Sequence, residues 1–207
     1  MSTARLSSYQ REMGSDQGAV ALYEWNLQVS GALFETLGAV EVLIRNAFHR
    51  QLANRYADHV PSGNWYDGQL LDDKGRRDVL RAKERATRGG RQVELPGKVI
   101  AELTFGFWRY LIAKRYQATA WPALRMAFPH HPNGVTLPRS DVDDRVQRVH
   151  VLRNRIAHHE PVFRRDLAHD HADMLDLVGW IDPGARTWVE SLSRVTSIIA
   201  GRPRRES

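Results

Sequence analysis

From Asp16 to Ala57 the chain carries apolar side chains at the three-and-four spacing of an α-helix, with no proline among them. Ala19, Leu22, Trp25, Leu27, Leu33, Leu37, Val40, Ile44, Phe48 and Leu52 mark the period. A strand needs alternation instead, so the stretch predicts one long helix or two joined end to end, with Ser30-Gly31 and Gly38 as places for a kink. The same period returns along the chain. Leu70 to Thr87 predicts a charged helix stopped by Gly89-Gly90. Pro96 opens a helix, dense in aromatics, that runs to Tyr116. Trp121 to Phe128 is a short helix. Ser140, an N-cap residue followed by Asp141, Asp143 and Asp144, starts the helix that leads to the histidines. Arg165 to Ile181 and Gly184 to Ala200 complete the set, split by Asp182-Pro183-Gly184. No segment alternates like a strand, so the fold class is all-α, a helical bundle. Residues 16–200 read as one domain. Residues 1–15 form an N-terminal extension with a short helix near Leu6 to Glu12, and 201–207 a basic C-terminal tail.

The hydrophobic share, 42%, and the charged share, 26%, are those of a globular chain. A formal charge of +6 suits a polyanionic partner. The chain has no cysteine, which excludes disulfides, thiol nucleophiles and thiolate metal sites. His130-His131 lie in a loop, His169 and His171 are two apart, and no HExxH spacing occurs, so neither a metal nor another cofactor is expected. Residues 1–15 contain no apolar signal core, and charges interrupt the apolar runs short of the roughly 18 residues of a membrane helix. A cytoplasmic protein without a membrane partner is the expectation.

Chemistry concentrates in Val149-His150-Val151-Leu152-Arg153-Asn154-Arg155-Ile156-Ala157-His158-His159-Glu160-Pro161. Val149, Leu152 and Ile156 give it an apolar face, and Pro161 disfavours helix at Glu160, so the helix should end near the histidines. Arg153 is a permanent cation with a planar fork of donors. Asn154 both donates and accepts, and either histidine can move a proton near neutral pH. Asn154 and His158 share a face, whereas Arg153 and His158 lie roughly 140° apart at about 100° per residue. They flank a cleft without stacking on one line. Upstream, Glu41 and Arg45 are spaced as an i,i+4 ion pair among Leu37, Val40, Ile44 and Phe48. Trp65, Tyr66, Trp108 and Trp121 offer rings for base stacking, although core packing is their commoner use.

Arg153 to His158 resembles the R-x4-6-H motif of HEPN domains, with a polar residue directly after the arginine. The run through His159 and Glu160 resembles the Abi-like (abortive infection) branch of that superfamily. So do Glu41-Val42-Leu43-Ile44-Arg45-Asn46 and the segment from Leu95-Pro96 to Glu102-Leu103-Thr104-Phe105-Gly106. The resemblance implies a HEPN-like bundle with additional helices. It also implies a metal-independent endoribonuclease acting as a toxin or phage-defence effector. Arg153, Asn154 and His158 would be catalytic. His159, Glu160, Glu41 and Arg45 would be supporting or substrate-binding, with Arg45 as a second phosphate cation. Both R-x4-H, which selects His158, and R-x5-H, which selects His159, fit the pattern; shared helix face prefers His158. RNA and a second copy of the chain are the implied partners, the homodimer facing its two motifs across the seam. An antitoxin or regulatory protein is a further candidate partner. The alternative is a non-catalytic RNA-binding or protein-interaction module of the same fold, in which the motif caps a helix or clamps phosphate.

Overall fold

The computed structural model describes residues 3–205, the side chains of residues 3–5 and 135 apart; Met1, Ser2, Glu206 and Ser207, parts of the two terminal segments, lie outside it. Every regular element among the described residues is a helix: α1 Thr3–Met13, α2 Asp16–Tyr56, α3 Asp73–Ala86, α4 Pro96–Glu102, α5 Phe105–Ile112, α6 Trp121–Leu124, α7 Arg139–Ala157, α8 Leu167–Ile181, α9 Pro183–Leu192 and α10 Val195–Ala200. The stretch from Asp16 is therefore one continuous helix, unbroken at Ser30-Gly31 and Gly38. Ser15 caps it by accepting the Gly18 N–H.

α2 is the axis of the bundle. α1, α5, α6, α7, α8, α9 and α10 all pack on it. By length and composition alone the segment Asp16–His59 could cross a membrane, against the reading that charges interrupt every such run. In the bundle Leu22, Val29, Leu33, Leu37, Val40, Ile44, Phe48 and Leu52 are instead sealed in the core. Leu27, counted with that core from its spacing, is 51% exposed, and Phe34 and Val42 are exposed on the same helix. The terminal segments are joined to the bundle. Tyr9 and Met13 of α1 are buried, and Arg202 pairs with Glu12.

Boundaries differ from the sequence reading, three of them with a local cause; elsewhere α3 starts at Asp73 rather than Leu70, α6 stops at Leu124 rather than Phe128 and α8 starts at Leu167 rather than Arg165. The helix expected from Pro96 to Tyr116 breaks at Leu103, whose ψ of 124° leaves the helical region. Thr104 then restarts it, its hydroxyl accepting the Phe107 N–H. α7 begins at Arg139, with Pro138 and not Ser140 at the N-cap. Arg139 binds the Ile112 carbonyl and the Asp143 carboxylate, which draws it into the first turn. The last predicted helix divides into α9 and α10, because Ser193 turns its hydroxyl to His171, Thr36 and the Val195 N–H.

Trp65, Tyr66, Trp108 and Trp121 are buried, so the core claims these rings rather than nucleic-acid bases. Trp65 donates its indole N–H to His49 Nδ1 at 3.0 Å, and His131 Nδ1 accepts the Asn133 N–H at 3.0 Å. Burial is the largest cause holding His49, His131, His150 and His171 below the ordinary histidine value. In His49 and His131 the bound lone pair also has to be given up on protonation. These folded-state values lie below the unfolded one, so their stabilisation is complete above about pH 6.5 and is lost as pH falls through the folded values. Thermal melts should therefore show the midpoint dropping from pH 7.5 to 5.5, before most carboxylates titrate. A midpoint constant over that interval would refute the assignment of neutral, buried histidines.

Candidate active site at the end of the seventh helix

α7 delivers its functional residues to one side of α2. Val142, Val146, Val149, Leu152 and Ile156 bury the apolar face. That leaves Arg153 beside α2, where its Nε donates to Glu41 Oε1 at 3.1 Å. Glu41 thus pairs across the bundle with Arg153, and not with Arg45 as its spacing suggested. Arg45 donates to Asn46 Oδ1 instead, at 3.3 Å. The helix surface favours an i,i+4 contact, but the two helices bring a second guanidinium to the same carboxylate, and the tertiary partner prevails. Both members are partly exposed, so the pair adds at most about 1 kcal/mol to stability. Its larger effect is orientation: Nε is occupied, and no bond of the two terminal nitrogens is found among the described residues.

Asn154 points toward the preceding turn, with Nδ2 3.3 Å from His150 Nε2. Burial, then the charges of Arg109 and Arg153, hold His150 below the ordinary value. A neutral imidazole can accept from Asn154 and so fix the amide's direction. The sequence reading gave His150 no separate part. Its signal was the i,i+4 spacing from Asn154.

The helix ends as a Schellman turn. His159 donates its N–H to the Ile156 carbonyl at 3.0 Å, and Glu160 donates to the Arg155 carbonyl at 2.8 Å. This geometry needs a left-handed residue at the position after the cap. His159 holds it, with φ of 54°. Glycine is the usual occupant, and an imidazole there is a strained choice. His158, the cap residue, keeps φ of −93° and is exposed. Glu160 is fastened to Arg155 at 3.1 Å.

Two cavities meet at Arg153. The first, about 620 Å³, lies between α1, α2 and the end of α7, and Arg153, His159 and Glu160 sit with Tyr23, Leu27 and Phe34 on its walls. His158 lines neither cavity. The reversal of the chain after Ala157 is what carries His159, rather than His158, round to the side of Arg153. The second cavity, about 470 Å³, joins Arg153 and Glu41 to Arg45 and Arg85 and to Glu102, Leu103, Thr104 and Phe105. Stretches read separately along the sequence, at 41–46, 95–106 and 149–161, thus converge on one arginine. Arg85 is an addition: it chelates Glu102 through the carboxylate at 2.9 Å and the carbonyl at 2.7 Å. Other charges of α3 are paired, Lys74 with Asp78 and Lys83 with Asp67 and Glu94.

Compared with protein-family models, with curated proteins and with solved structures, the chain matches none.

Proposed function

We propose that the protein is a metal-independent endoribonuclease of the Abi-like HEPN kind, acting as a toxin or phage-defence effector in the cytoplasm. The observation that carries this reading is the meeting of Arg153 and His159 on one cavity wall, with Arg153 held by Glu41 through Nε alone. Cleavage by a 2′-hydroxyl requires a base, a cation on the phosphorane and an acid for the leaving oxygen. Arg153 supplies the cation, and a histidine of the 158–159 pair supplies proton transfer. His159 is the better placed, having a wall of the same cavity. Asn154 lines neither cavity and turns its amide to His150, so it makes no substrate contact in this reading. Arg45 adds a second cation across Glu41, and Glu160 steadies the turn through Arg155. The described residues contain no group of three side chains suited to hold a metal ion. In this reading the chemistry uses the protein's own acid, base and guanidinium.

One chain offers one such histidine to the cavity, while acid plus base requires two. A homodimer resolves this by facing two motifs across a seam. Val42 is an exposed apolar residue of α2 beside the second cavity, on a surface that a second copy would cover while the first cavity stays open. An antitoxin or regulatory protein would reach the same face.

The test is RNA cleavage in excess EDTA by the fraction whose light-scattering mass is twice that of the chain. Products ending in a 2′,3′-cyclic phosphate or its opened form are expected. Intact RNA after prolonged incubation would sink the enzyme. RNA bound but never cut is the outcome expected of the non-catalytic module.

A further inference from the structure

The 620 Å³ cavity beside Arg153 has a floor that the proton-transfer chemistry does not use. Asn26 is 5% exposed and sits on α2 among Leu22, Trp25 and Val29, where the period calls for an apolar residue. Its Oδ1 accepts two backbone N–H groups, from Val162 at 2.9 Å and Phe163 at 3.2 Å. Two donors fix the amide: only oxygen can face them. The Nδ2 end therefore remains for the cavity that Asn26 lines, and no hydrogen bond of Nδ2 is found among the described residues. That nitrogen is open to the cavity, where an acceptor on an entering ligand can take its hydrogen.

We infer that this cavity receives an RNA base, which accepts from Asn26 Nδ2 while its phosphate lies toward Arg153 and His159. The naming of the ligand as RNA rests on the ribonuclease reading; the cavity's shape and polarity do not. The polarity is graded. A neutral donor lies at Asn26, apolar and aromatic groups form the walls, and ionic or polar groups sit at Arg153, His159 and Glu160. A nucleotide has the same gradient, a neutral ring with acceptor atoms joined to an anionic phosphate. Tyr23 and Phe34 supply π-faces, and Phe34 is 53% exposed, open to an incoming ring. A wholly apolar ligand would leave the Asn26 donor unpaired, and an anion at the floor would face no cation there.

The test compares two short single-stranded RNAs with 2′-fluoro sugars, which block cleavage. One carries its bases; the other is abasic at the central positions. Backbone charge is the same in both, so the ratio of their affinities isolates the base. For the wild type the ratio should be roughly tenfold or more. Asn26→Asp keeps an oxygen for Val162 and Phe163 but replaces the donor by an acceptor, and it should bring the ratio close to one. Tyr23→Ala, on the wall, should lower the ratio as well, and it carries the test should Asn26→Asp fail to fold. A wild-type ratio near one, absent binding, or a ratio unchanged in a folded Asn26→Asp variant overturns the inference. Cleavage of ordinary RNA is scored in parallel. Cleavage without a base-dependent ratio removes the cavity's role and leaves the ribonuclease. A ratio without cleavage does the reverse.

Discussion

Arg153→Ala should slow RNA cleavage about 100-fold, the loss expected when one donor to developing charge is removed from a preorganised site. Binding should weaken far less, with the salt slope of RNA affinity reduced by about one. The distinction follows from the geometry. Glu41 holds Nε at 3.1 Å, so the guanidinium is positioned before substrate arrives, and its terminal nitrogens remain for the phosphorane. Arg153→Lys should recover little, since a point charge reproduces neither the Glu41 bond nor the planar fork. Glu41→Gln should be milder than either, because a neutral acceptor still locates Nε. The partly exposed pair contributes at most about 1 kcal/mol, so these variants should remain folded, which a melt verifies. Single-turnover cleavage at saturating protein is the measurement. A rate within about threefold of wild type for Arg153→Ala would remove the arginine from the chemistry, since the donor loss expected is far larger.

The bundle was legible in the sequence because a long 3.6-residue period leaves few alternatives. Ala19 through Leu52 mark α2, and Val142 to Ile156 turn α7 onto it. What the period could not supply was tertiary choice. It placed Leu27 in the core, yet neighbouring helices cover the opposite side of α2 and leave that turn open. It paired Glu41 with Arg45 because the two are neighbours on one helix, and it had no access to Arg153 arriving from α7. The break at Leu103 was likewise hidden. Thr104 is a good cap, but a cap in mid-sequence is silent until packing turns the chain. Asn26 did give a signal, a lone amide at a core position of α2, and its meaning required the loop at Val162 and Phe163 to come back across the fold. The histidines are the clearest case. Helical projection separates Arg153 from His158, and it stops being a guide where the helix stops. Beyond Ala157 the Schellman turn sets direction, and a left-handed residue cannot be read from a wheel.

His159→Gly should make the protein more stable and less active together. A left-handed conformation costs a non-glycine residue about 1–2 kcal/mol, part of which glycine returns through its freer unfolded chain. The net gain should be about 1 kcal/mol, or roughly 2–4 °C in Tm for a chain of this size. If His159 transfers the proton, cleavage should fall by about 100-fold or more in the same variant, within the usual range for general acid–base groups. His159→Asn separates the two effects. Asparagine tolerates the left-handed region, so the turn is kept while the imidazole is lost. It should be nearly as inactive as His159→Gly with a smaller change in Tm. His158→Ala, on a residue with ordinary backbone and an exposed side chain, should leave both readouts closer to wild type. The reciprocal pattern, cleavage surviving His159→Gly and vanishing with His158→Ala, would hand the proton transfer to His158 and leave the strain at His159 without a catalytic reason. A stabilised His159→Gly that cuts RNA at the wild-type rate would show the same. Arg88 holds the same left-handed position after the cap of α3, so strain alone does not mark a site; at His159 it is accounted for if the imidazole beside Arg153 is worth more to the protein than the stability it forgoes.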